Sequence, residues 1–207
     1  MLPFKTEQES FWAGEFGDNY IERNKSNQLL ASNVAFFAEI LQHTNSIQSL
    51  IEFGANIGMN LRALQTLLPT AEQNAIEINE KASAILKENL PQVNVFNESI
   101  IDFAPQKQYD LSMIKGVLIH INPDELKNVY AKLYQSSSKY ILIAEYYNPS
   151  PVEIPYRGHA GKLFKRDFAG EFLDMFPDVK LVKYGFVYRR DPNFPQDDTT
   201  WFLLQKQ

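Results

Sequence analysis

Apolar runs with the length of a β-strand alternate along most of this chain with segments that have helical periodicity. The strand-like runs span residues 49–55, 74–79, 93–99, 109–116 and 140–147, and the helical patterns span residues 59–68, 80–90, 123–134 and 166–176. Such alternation indicates parallel strands that are joined by helical crossovers. The sequence therefore predicts an open, mostly parallel α/β sheet.

The end of the chain breaks this alternation. Two strand-like segments, 179–191 and 199–207, follow one another, and the 7 residues between them are too few for a helix. Consecutive strands with a short connection form an antiparallel hairpin. We therefore predict a seven-stranded sheet with one antiparallel strand near the C-terminus.

The residues before the first strand predict a helical cap at 1–46, ahead of a core at 47–207. Within this cap, residues 28–41 have helical spacing and are expected to bury one face, formed by Leu30, Val34, Phe37 and Leu41. At 207 residues the chain is long enough for one substantial core. We expect the cap and the core to form a single structural domain.

Several aromatic residues and an arginine precede that helix. They are spaced by four, four and three residues, at Trp12, Phe16, Tyr20 and Arg23. Aromatic faces can bind a sugar ring or a cofactor, so these residues could close over a ligand. The same spacing also fits one buried helical stripe, although glycines at 14 and 17 weaken a continuous helix.

Composition argues against several classes of function. A net charge of -5 and a pI near 5.3 argue against the basic surface that anchors a protein on nucleic acid. The absence of cysteine excludes disulfides, thiolate catalysis and Cys-ligated metals. The histidines at 43, 120 and 159 lack metal-ligand spacing, so we expect activity without a metal.

The chain shows neither a targeting signal nor a membrane span. Its first residues, "MLPFKTEQES", lack a basic segment followed by an apolar one, and no run of about 18 apolar residues occurs. We expect no membrane insertion and a cytoplasmic location.

The segment "IEFGANIGMN" at 51–60 has the form of a strand that enters a cofactor loop. A dinucleotide loop has G-x-G-x-x-G, but Asn56 and Met59 occupy the second and third glycine positions after Gly54. The spacing is instead Glu52-x-Gly54-x-Asn56-x-Gly58. This resembles the E-x-G-x-G-x-G loop of class I S-adenosylmethionine-dependent methyltransferases, with asparagine, which tolerates a left-handed backbone, at the middle glycine.

Glu77 ends the second predicted strand, 25 residues after Glu52. A carboxylate at this place can accept hydrogen bonds from both ribose hydroxyls of an adenosine cofactor, as in NAD proteins. An exposed glutamate that caps the next helix is the alternative. The resemblance to the methyltransferases adds further cofactor-binding positions, at Ile78, Glu98, Ser99, Lys115, Gly116 and Val117, with Glu98 and Ser99 near the adenine and Lys115 to Val117 along the methionine.

A narrower resemblance covers nearly the whole chain. The segment "EQESFWAGEFGDNYIERN", followed by "EFGANIGMNLRAL", is similar to the family called pseudaminic acid biosynthesis-associated methylases. The similarity implies a cytoplasmic methyltransferase with a Rossmann-like class I sheet, which uses S-adenosylmethionine and releases S-adenosylhomocysteine. It implies O- or N-methylation of a nonulosonic acid or a related surface-glycan precursor.

Candidate acceptor-side residues follow the fourth and fifth strands. His120 in "VLIHINPDEL" could act as the base, since a histidine titrates near neutrality, or could merely shape its loop. Glu145 and Tyr146 end the fifth strand and are further catalytic candidates. The irregular segment after them is expected to bind the acceptor, together with Trp12 and Tyr20, through Tyr147, Asn148, Tyr156, Arg157, His159 and Arg166.

Other functions fit the same pattern. The acceptor could be an unrelated small molecule, such as a lipid head group or a natural product, because one scaffold serves many acceptors. A non-catalytic cofactor-binding or partner module and, more distantly, an NAD-dependent dehydrogenase are the remaining alternatives. The sequence leaves the accepting atom and the oligomeric state open.

Overall fold

The computed structural model describes residues 4–21 and 26–207, so the predicted role of Arg23 lies outside the described residues. Seven strands of the described chain form one sheet: β1 Ser49–Phe53, β2 Glu72–Ile76, β3 Asn94–Phe96, β4 Tyr109–Lys115, β5 Ser137–Glu145, β8 Val179–Val187 and β9 Thr199–Lys206. Two short strands, β6 Val152–Glu153 and β7 Phe164–Lys165, pair as a separate hairpin.

The large sheet has the order β3-β2-β1-β4-β5-β9-β8. The strands from β3 to β5 are all parallel, and β9 runs antiparallel to both of its neighbours. The predicted sheet with one antiparallel strand is therefore confirmed. The strand order reverses between β1 and β4, which is where open α/β sheets bind ligands.

Helices cover both faces of the sheet. Those of the described residues are α1 Glu7–Ala13, α2 Glu15–Tyr20, α3 Asn27–Leu41, α4 Met59–Leu67, α5 Glu80–Asn89, α6 Leu126–Ser136 and α7 Phe168–Met175. One buried cluster joins α6 and α7 to the sheet, and a second joins α3, α4 and α5 to the opposite face. None of the helices within residues 4–21 and 26–207 has the length and apolarity needed to cross a membrane.

Helix α3 is turned relative to its predicted face. Its buried side chains are Ser32, Asn33, Phe36, Phe37 and Ile40, whereas Leu30, Val34 and Leu41 are partly buried at the edge of this stripe. The expected burial of Phe37 is confirmed. Ser32 and Asn33 are buried in place of Leu30 and Val34. This part of α3 faces the loop after β8 and a cavity described below, and polar partners are present there.

The aromatic segment before α3 forms two short helices instead of one continuous helix with a buried aromatic stripe. α1 ends and α2 begins at Gly14, whose backbone is extended, with φ -100° and ψ -156°. Thr6 and Glu9 form a capping box at the start of α1. The chain bends between the helices, and Trp12 meets Phe16 and Tyr20 edge-on, with ring centroids 5.4 and 5.2 Å away.

Candidate functional site

A cavity of about 610 Å³ opens at the carboxyl ends of β1, β2 and β4. This volume falls in the range of about 300 to 1,000 Å³ that is usual for small-molecule sites. The predicted cofactor residues in its wall are Gly54, Asn56, Glu77, Ile78, Ser99, Lys115, Gly116 and Val117. The predicted acceptor-side and catalytic residues in the wall are Trp12, Tyr20, His120, Tyr146, Tyr156 and Arg157.

The loop after β1 turns through three left-handed residues. Gly54 has φ 78°, Asn56 has φ 48° and Gly58, which precedes α4, has φ 82°. The Asn56 side chain stabilises this turn, because its Oδ1 accepts a hydrogen bond of 2.7 Å from the N–H of Ile57. Asparagine can therefore stand at the middle position, since it tolerates positive φ better than most residues.

Close packing also requires glycine at the first position of the loop. A Cβ on Gly54 would lie 2.6 Å from Cγ2 of Val117, in the loop after β4. Real Cβ atoms do not approach a neighbour so closely, so the missing side chain of Gly54 allows the loops after β1 and β4 to touch. Gly58 lies beneath the wall of the cavity, where a Cβ would meet Leu86 and Leu90 at 3.0 Å.

Glu77 joins this loop to the end of β2. Its Oε2 accepts a hydrogen bond from the N–H of Asn56 at 2.7 Å, and its Oε1 accepts one from the N–H of Asn79 at 2.8 Å. Burial raises the pKa of Glu77, and the backbone N–H groups oppose this shift. The backbone N–H of Ile78 also interacts with this carboxylate, and the remaining lone-pair capacity could accept a hydrogen bond from a ligand hydroxyl.

Glu52 lies behind the wall of the cavity. Its Oε1 accepts a hydrogen bond of 2.6 Å from Nδ2 of Asn60, and its Oε2 has no hydrogen-bond partner among the described residues. Burial raises the pKa of Glu52 to about 8. In this structure Glu52 contacts α4 through Asn60, which itself lines the cavity.

The end of β3 meets the cap. Ser99 donates its hydroxyl hydrogen to Oε1 of the buried Glu9 in α1, and the N–H of Ile101 donates to the Ser99 hydroxyl at 3.1 Å. Glu9 lines the cavity as well, whereas Glu98 is exposed and lies away from the wall. A carboxylate from α1 therefore stands where the sequence predicted Glu98.

Lys115 ends β4 at the cavity. Its ammonium lies 5.5 Å from the ring centroid of Phe36 in α3, in cation–π geometry. Burial lowers the pKa of Lys115, and the nearby carboxylates of Glu52, Asp197 and Glu145 oppose this shift. The wall of the cavity therefore carries a buried amine at Lys115, with three acidic side chains near it.

His120 is the last residue of a short 3-10 turn, Leu118–His120. Its Nδ1 lies 2.6 Å from the carbonyl oxygen of Lys162. A carbonyl only accepts hydrogen bonds, so Nδ1 carries the hydrogen and the lone pair of a neutral ring is on Nε2. Burial lowers the pKa of His120 to about 4, and its ring packs against Trp12 and Tyr156 at centroid distances of 4.5 and 4.9 Å.

Glu145 lies beneath the wall and holds this turn in place. Its Oε1 accepts hydrogen bonds from the N–H groups of Val117 and Leu118, at 2.9 and 2.8 Å. Burial raises the pKa of Glu145 to about 7. Through these contacts Glu145 positions the loop that carries His120.

The irregular segment after β5 is divided between the cavity and the protein surface. Tyr156 and Arg157 line the cavity, but four predicted acceptor residues do not: Tyr147, Asn148, His159 and Arg166. Arg166 donates from Nε to Glu171 at 2.7 Å, and the His159 ring packs against Phe11 of α1 at 5.0 Å. The latter contact joins this segment to the cap.

Sequence reasoning missed the loop between β8 and β9. Gln196 and Asp197 in "FPQDDTT" line the cavity, together with Asn33 of α3. Asp197 accepts a hydrogen bond of 2.9 Å from the hydroxyl of Tyr146, 51 residues earlier. The clustered polar residues between two strands were a weak signal, because such clusters usually mark only a turn.

Comparisons with known proteins agree with this architecture. No protein-family model and no curated protein matches the sequence. Solved structures do match, among them the magnesium protoporphyrin IX methyltransferase of Synechocystis PCC 6803 with bound SAM, with 11% identity, a TM-score of 0.66 and 98% of each chain covered. The chain has the class I methyltransferase fold.

Two further solved structures match over nearly the whole chain. CalS10, described as an amino pentose methyltransferase from Micromonospora echinaspora with bound SAM, shares 12% identity at a TM-score of 0.65, over 93% of this chain and 96% of that chain. DesVI of Streptomyces venezuelae shares 10% identity at a TM-score of 0.64, over 99% and 100%. Within the described residues, no three His, Asp or Glu side chains come together as a metal site.

Proposed function

We propose that this protein is an S-adenosylmethionine-dependent methyltransferase that methylates oxygen or nitrogen of a nonulosonic acid or a related glycan precursor. The observation that carries the cofactor half is the position of Glu77. Its carboxylate lies in the cavity wall, with unused lone pairs, directly against the left-handed loop after β1. When bound, S-adenosylmethionine supplies a methyl group on a sulfonium, which a nucleophile can displace.

The wall offers suitable contacts for each part of such a cofactor. Glu77 can accept a hydrogen bond from a ribose hydroxyl, and Glu9 can accept one from an adenine amino group. Lys115 can pair with the carboxylate of the methionine part, while Gly116 and Val117 bound the same end of the cavity. The donors and acceptors present therefore fit an adenosine with an amino-acid tail.

The acceptor half of the proposal is supported by the aromatic and polar residues at the other end of the cavity. Trp12, Tyr20 and Tyr156 provide faces on which a sugar ring can pack. His120 presents the lone pair of Nε2 to a hydroxyl or amine, and Arg157 provides a cation for an acidic group. One of the similar solved structures is described as an amino pentose methyltransferase, which makes a sugar acceptor a reasonable first choice.

Calorimetric titration with S-adenosylmethionine, S-adenosylhomocysteine and NAD tests the cofactor half. We expect binding of the two sulfur compounds, weakened at least about tenfold in Glu77→Ala, because a hydrogen bond to a charged group contributes roughly 1.5 to 3 kcal/mol. Glu88→Ala, an exposed glutamate on α5, is the matched control. Preferential binding of NAD would overturn the proposal.

Transfer of a labelled methyl group tests the acceptor half. The probes are N-acetylneuraminic acid, its cytidine monophosphate conjugate, glucosamine and phosphoethanolamine. Label in the nine-carbon acids alone supports the proposal, whereas label in phosphoethanolamine alone favours a lipid head group as acceptor. Cofactor binding without transfer to any probe would point to a non-catalytic module.

A further inference from the structure

The loop between β8 and β9 is fastened over the cavity by contacts with α3. Nε2 of the buried Gln196 donates to the carbonyl oxygen of Ser32 at 2.9 Å and to Oδ1 of Asn33 at 3.3 Å. Nε2 of Gln28 donates to the carbonyl oxygen of Asn193 at 2.8 Å. Asp197 directly follows Gln196, so its position is set by a buried anchor although its own side chain is exposed.

Asp197 and Tyr146 form a hydrogen-bonded pair in the wall of the cavity. The Tyr146 hydroxyl donates to Oδ2 of Asp197 at 2.9 Å. A phenol has one hydrogen and two lone pairs, so the Tyr146 oxygen can still accept a hydrogen bond from a ligand. Burial and the adjacent Asp197 carboxylate raise the pKa of Tyr146, which keeps the phenol protonated.

Several charged or titratable groups surround this pair. Lys165 of β7 lies over the Tyr146 ring, with its ammonium 5.2 Å from the centroid. Lys115 of β4 interacts with Asp197, and Tyr20 and Tyr156 interact with Tyr146. The neighbouring Asp198 lies 3.5 Å from Nε of Arg189. Lys115 is therefore the cation that faces Asp197, and Lys165 is the cation that faces Tyr146.

We propose that Tyr146 and Asp197 together take up the proton that the methyl acceptor loses, so that the loop between β8 and β9 selects acceptors with a hydroxyl or amino group. This proposal rests on the proposed methyltransferase function. Tyr146 would contact the acceptor directly, and Asp197 would act through Tyr146.

In the proposed step a hydroxyl acceptor is methylated on its oxygen. The acceptor oxygen forms the new bond to the methyl carbon, the carbon–sulfur bond breaks, and its electron pair stays on the sulfur of a neutral thioether. The acceptor proton passes to the Tyr146 oxygen while the Tyr146 hydrogen passes to Oδ2 of Asp197. An amine acceptor forms the carbon–nitrogen bond first and then loses its proton by the same route. Asp197 is exposed and can release that proton to water.

His120 is less suited to this role. Its ring is buried against Trp12 and Tyr156, and its Nδ1 hydrogen is committed to the Lys162 carbonyl. A proton on Nε2 would create a buried cation, which is costly unless the cation is paired. We assign to His120 the role of binding the acceptor. The Tyr146–Asp197 pair takes up the proton of the acceptor.

Four variants test the pair: Asp197→Asn, Asp197→Glu, Tyr146→Phe and the double variant Tyr146→Phe/Asp197→Asn. The surface offers a matched control, because the Tyr134 hydroxyl donates to Oδ2 of Asp178 at 2.6 Å, away from the cavity. Asp178→Asn and Tyr134→Phe therefore remove the same kind of contact elsewhere. The readouts are S-adenosylhomocysteine affinity by calorimetry and the pH profile of methyl transfer to the best of the probes above.

We expect Asp197→Asn to lower kcat at least about 100-fold, within the range usual for proton transfer by a positioned side chain. The affinity for S-adenosylhomocysteine should stay within about threefold, because Asp197 acts on the acceptor and not on the cofactor. The pH profile of turnover should change in Asp197→Asn and stay as in the wild type in Asp178→Asn. Asp197→Glu should restore part of the rate, and the double variant should be no slower than Asp197→Asn.

Full turnover with an unchanged pH profile in Asp197→Asn would overturn this proposal and leave the methyltransferase function intact. An equal loss of rate in Asp178→Asn would also overturn it, since the effect would then be structural. If wild-type protein binds S-adenosylhomocysteine but methylates none of the probes, the proposed function and this inference both fail.

Discussion

The backbone N–H of Asn56 donates a hydrogen bond of 2.7 Å to Oε2 of Glu77. This contact joins the left-handed loop after β1 to the carboxylate at the end of β2, in the wall of the cavity. Because the donor is a backbone group, the side chain at 56 can vary as long as the residue accepts positive φ. The contact explains why the loop keeps its form with asparagine at a position where glycine would be usual.

Substitutions at Asn56 should separate backbone conformation from side-chain chemistry. We expect Asn56→Gly to change the free energy of unfolding by less than about 1 kcal/mol, since it loses one hydrogen bond and gains backbone freedom. Asn56→Val should cost about 1 to 3 kcal/mol, because a β-branched residue is strained at φ 48°. Urea denaturation measures both, and equal stabilities of the two variants would contradict the assignment.

Substitution of Gly54 should cause both a steric clash and backbone strain. We expect Gly54→Ala to destabilise the protein by roughly 2 kcal/mol or more, because the new Cβ meets Val117 at 2.6 Å and the backbone stays at φ 78°.

Gly116→Ala is the matched control for strain alone, since Gly116 also has positive φ but nothing lies within 4 Å of its added Cβ. Adding Val117→Ala to Gly54→Ala should recover only the packing part of the loss. A Gly54→Ala variant no less stable in denaturant than Gly116→Ala would disprove the close contact.

Burial of His120 should make stability depend on pH. The unfolded chain takes up the proton near the ordinary pKa of about 6.5, whereas the folded chain does so only at about 4. The unfolded state therefore binds more protons between these values, and stability should fall as pH drops through this range, by up to roughly 3 kcal/mol from this residue.

His120→Asn should remove this part of the pH dependence, and His159→Asn, at an exposed position that contacts the cap, serves as control. Urea denaturation at pH 7 and pH 5 gives the comparison. If the loss of stability on acidification is the same in His120→Asn as in the wild type, the ring is not held neutral by burial.

The contact between Glu9 and Ser99 should keep the cap closed. Glu9→Ala removes both the buried charged partner of Ser99, worth about 1.5 to 3 kcal/mol, and the capping box of α1, which together should shift local opening of α1 by roughly tenfold or more. Trp201 is buried in the core, so iodide quenching of tryptophan fluorescence reports mainly on Trp12.

Quenching should increase in Glu9→Ala and decrease when S-adenosylhomocysteine is added to the wild type. Glu7→Ala, on the exposed side of the same helix, is the matched control. Similar quenching in Glu7→Ala and Glu9→Ala would show that the buried contact does not hold α1 down.

The wall of the cavity beside the loop after β1 could largely be predicted from the sequence. The positions of Gly54, Asn56 and Glu77 in the wall follow from turn residues and strand ends that lie close together along the chain. Sequence reasoning did less well for residues whose partners are distant. The sequence could not show that Ser99 lines the cavity and Glu98 does not, because this depends on the position of α1. The place of Glu9 in the wall likewise depends on how α1 folds back onto the end of β3.

The sequence by itself determined the alternation of strands and helices, the antiparallel strand near the C-terminus and the loop after β1. These features depend on periodicity and turn chemistry, which act over a few residues. Only the tertiary structure decided which distant side chains meet in the wall of the cavity. Tyr146 meets Asp197 across 51 residues, and Gln196 reaches Ser32 across 164. Such contacts arise from the packing of whole elements, so no local pattern encodes them.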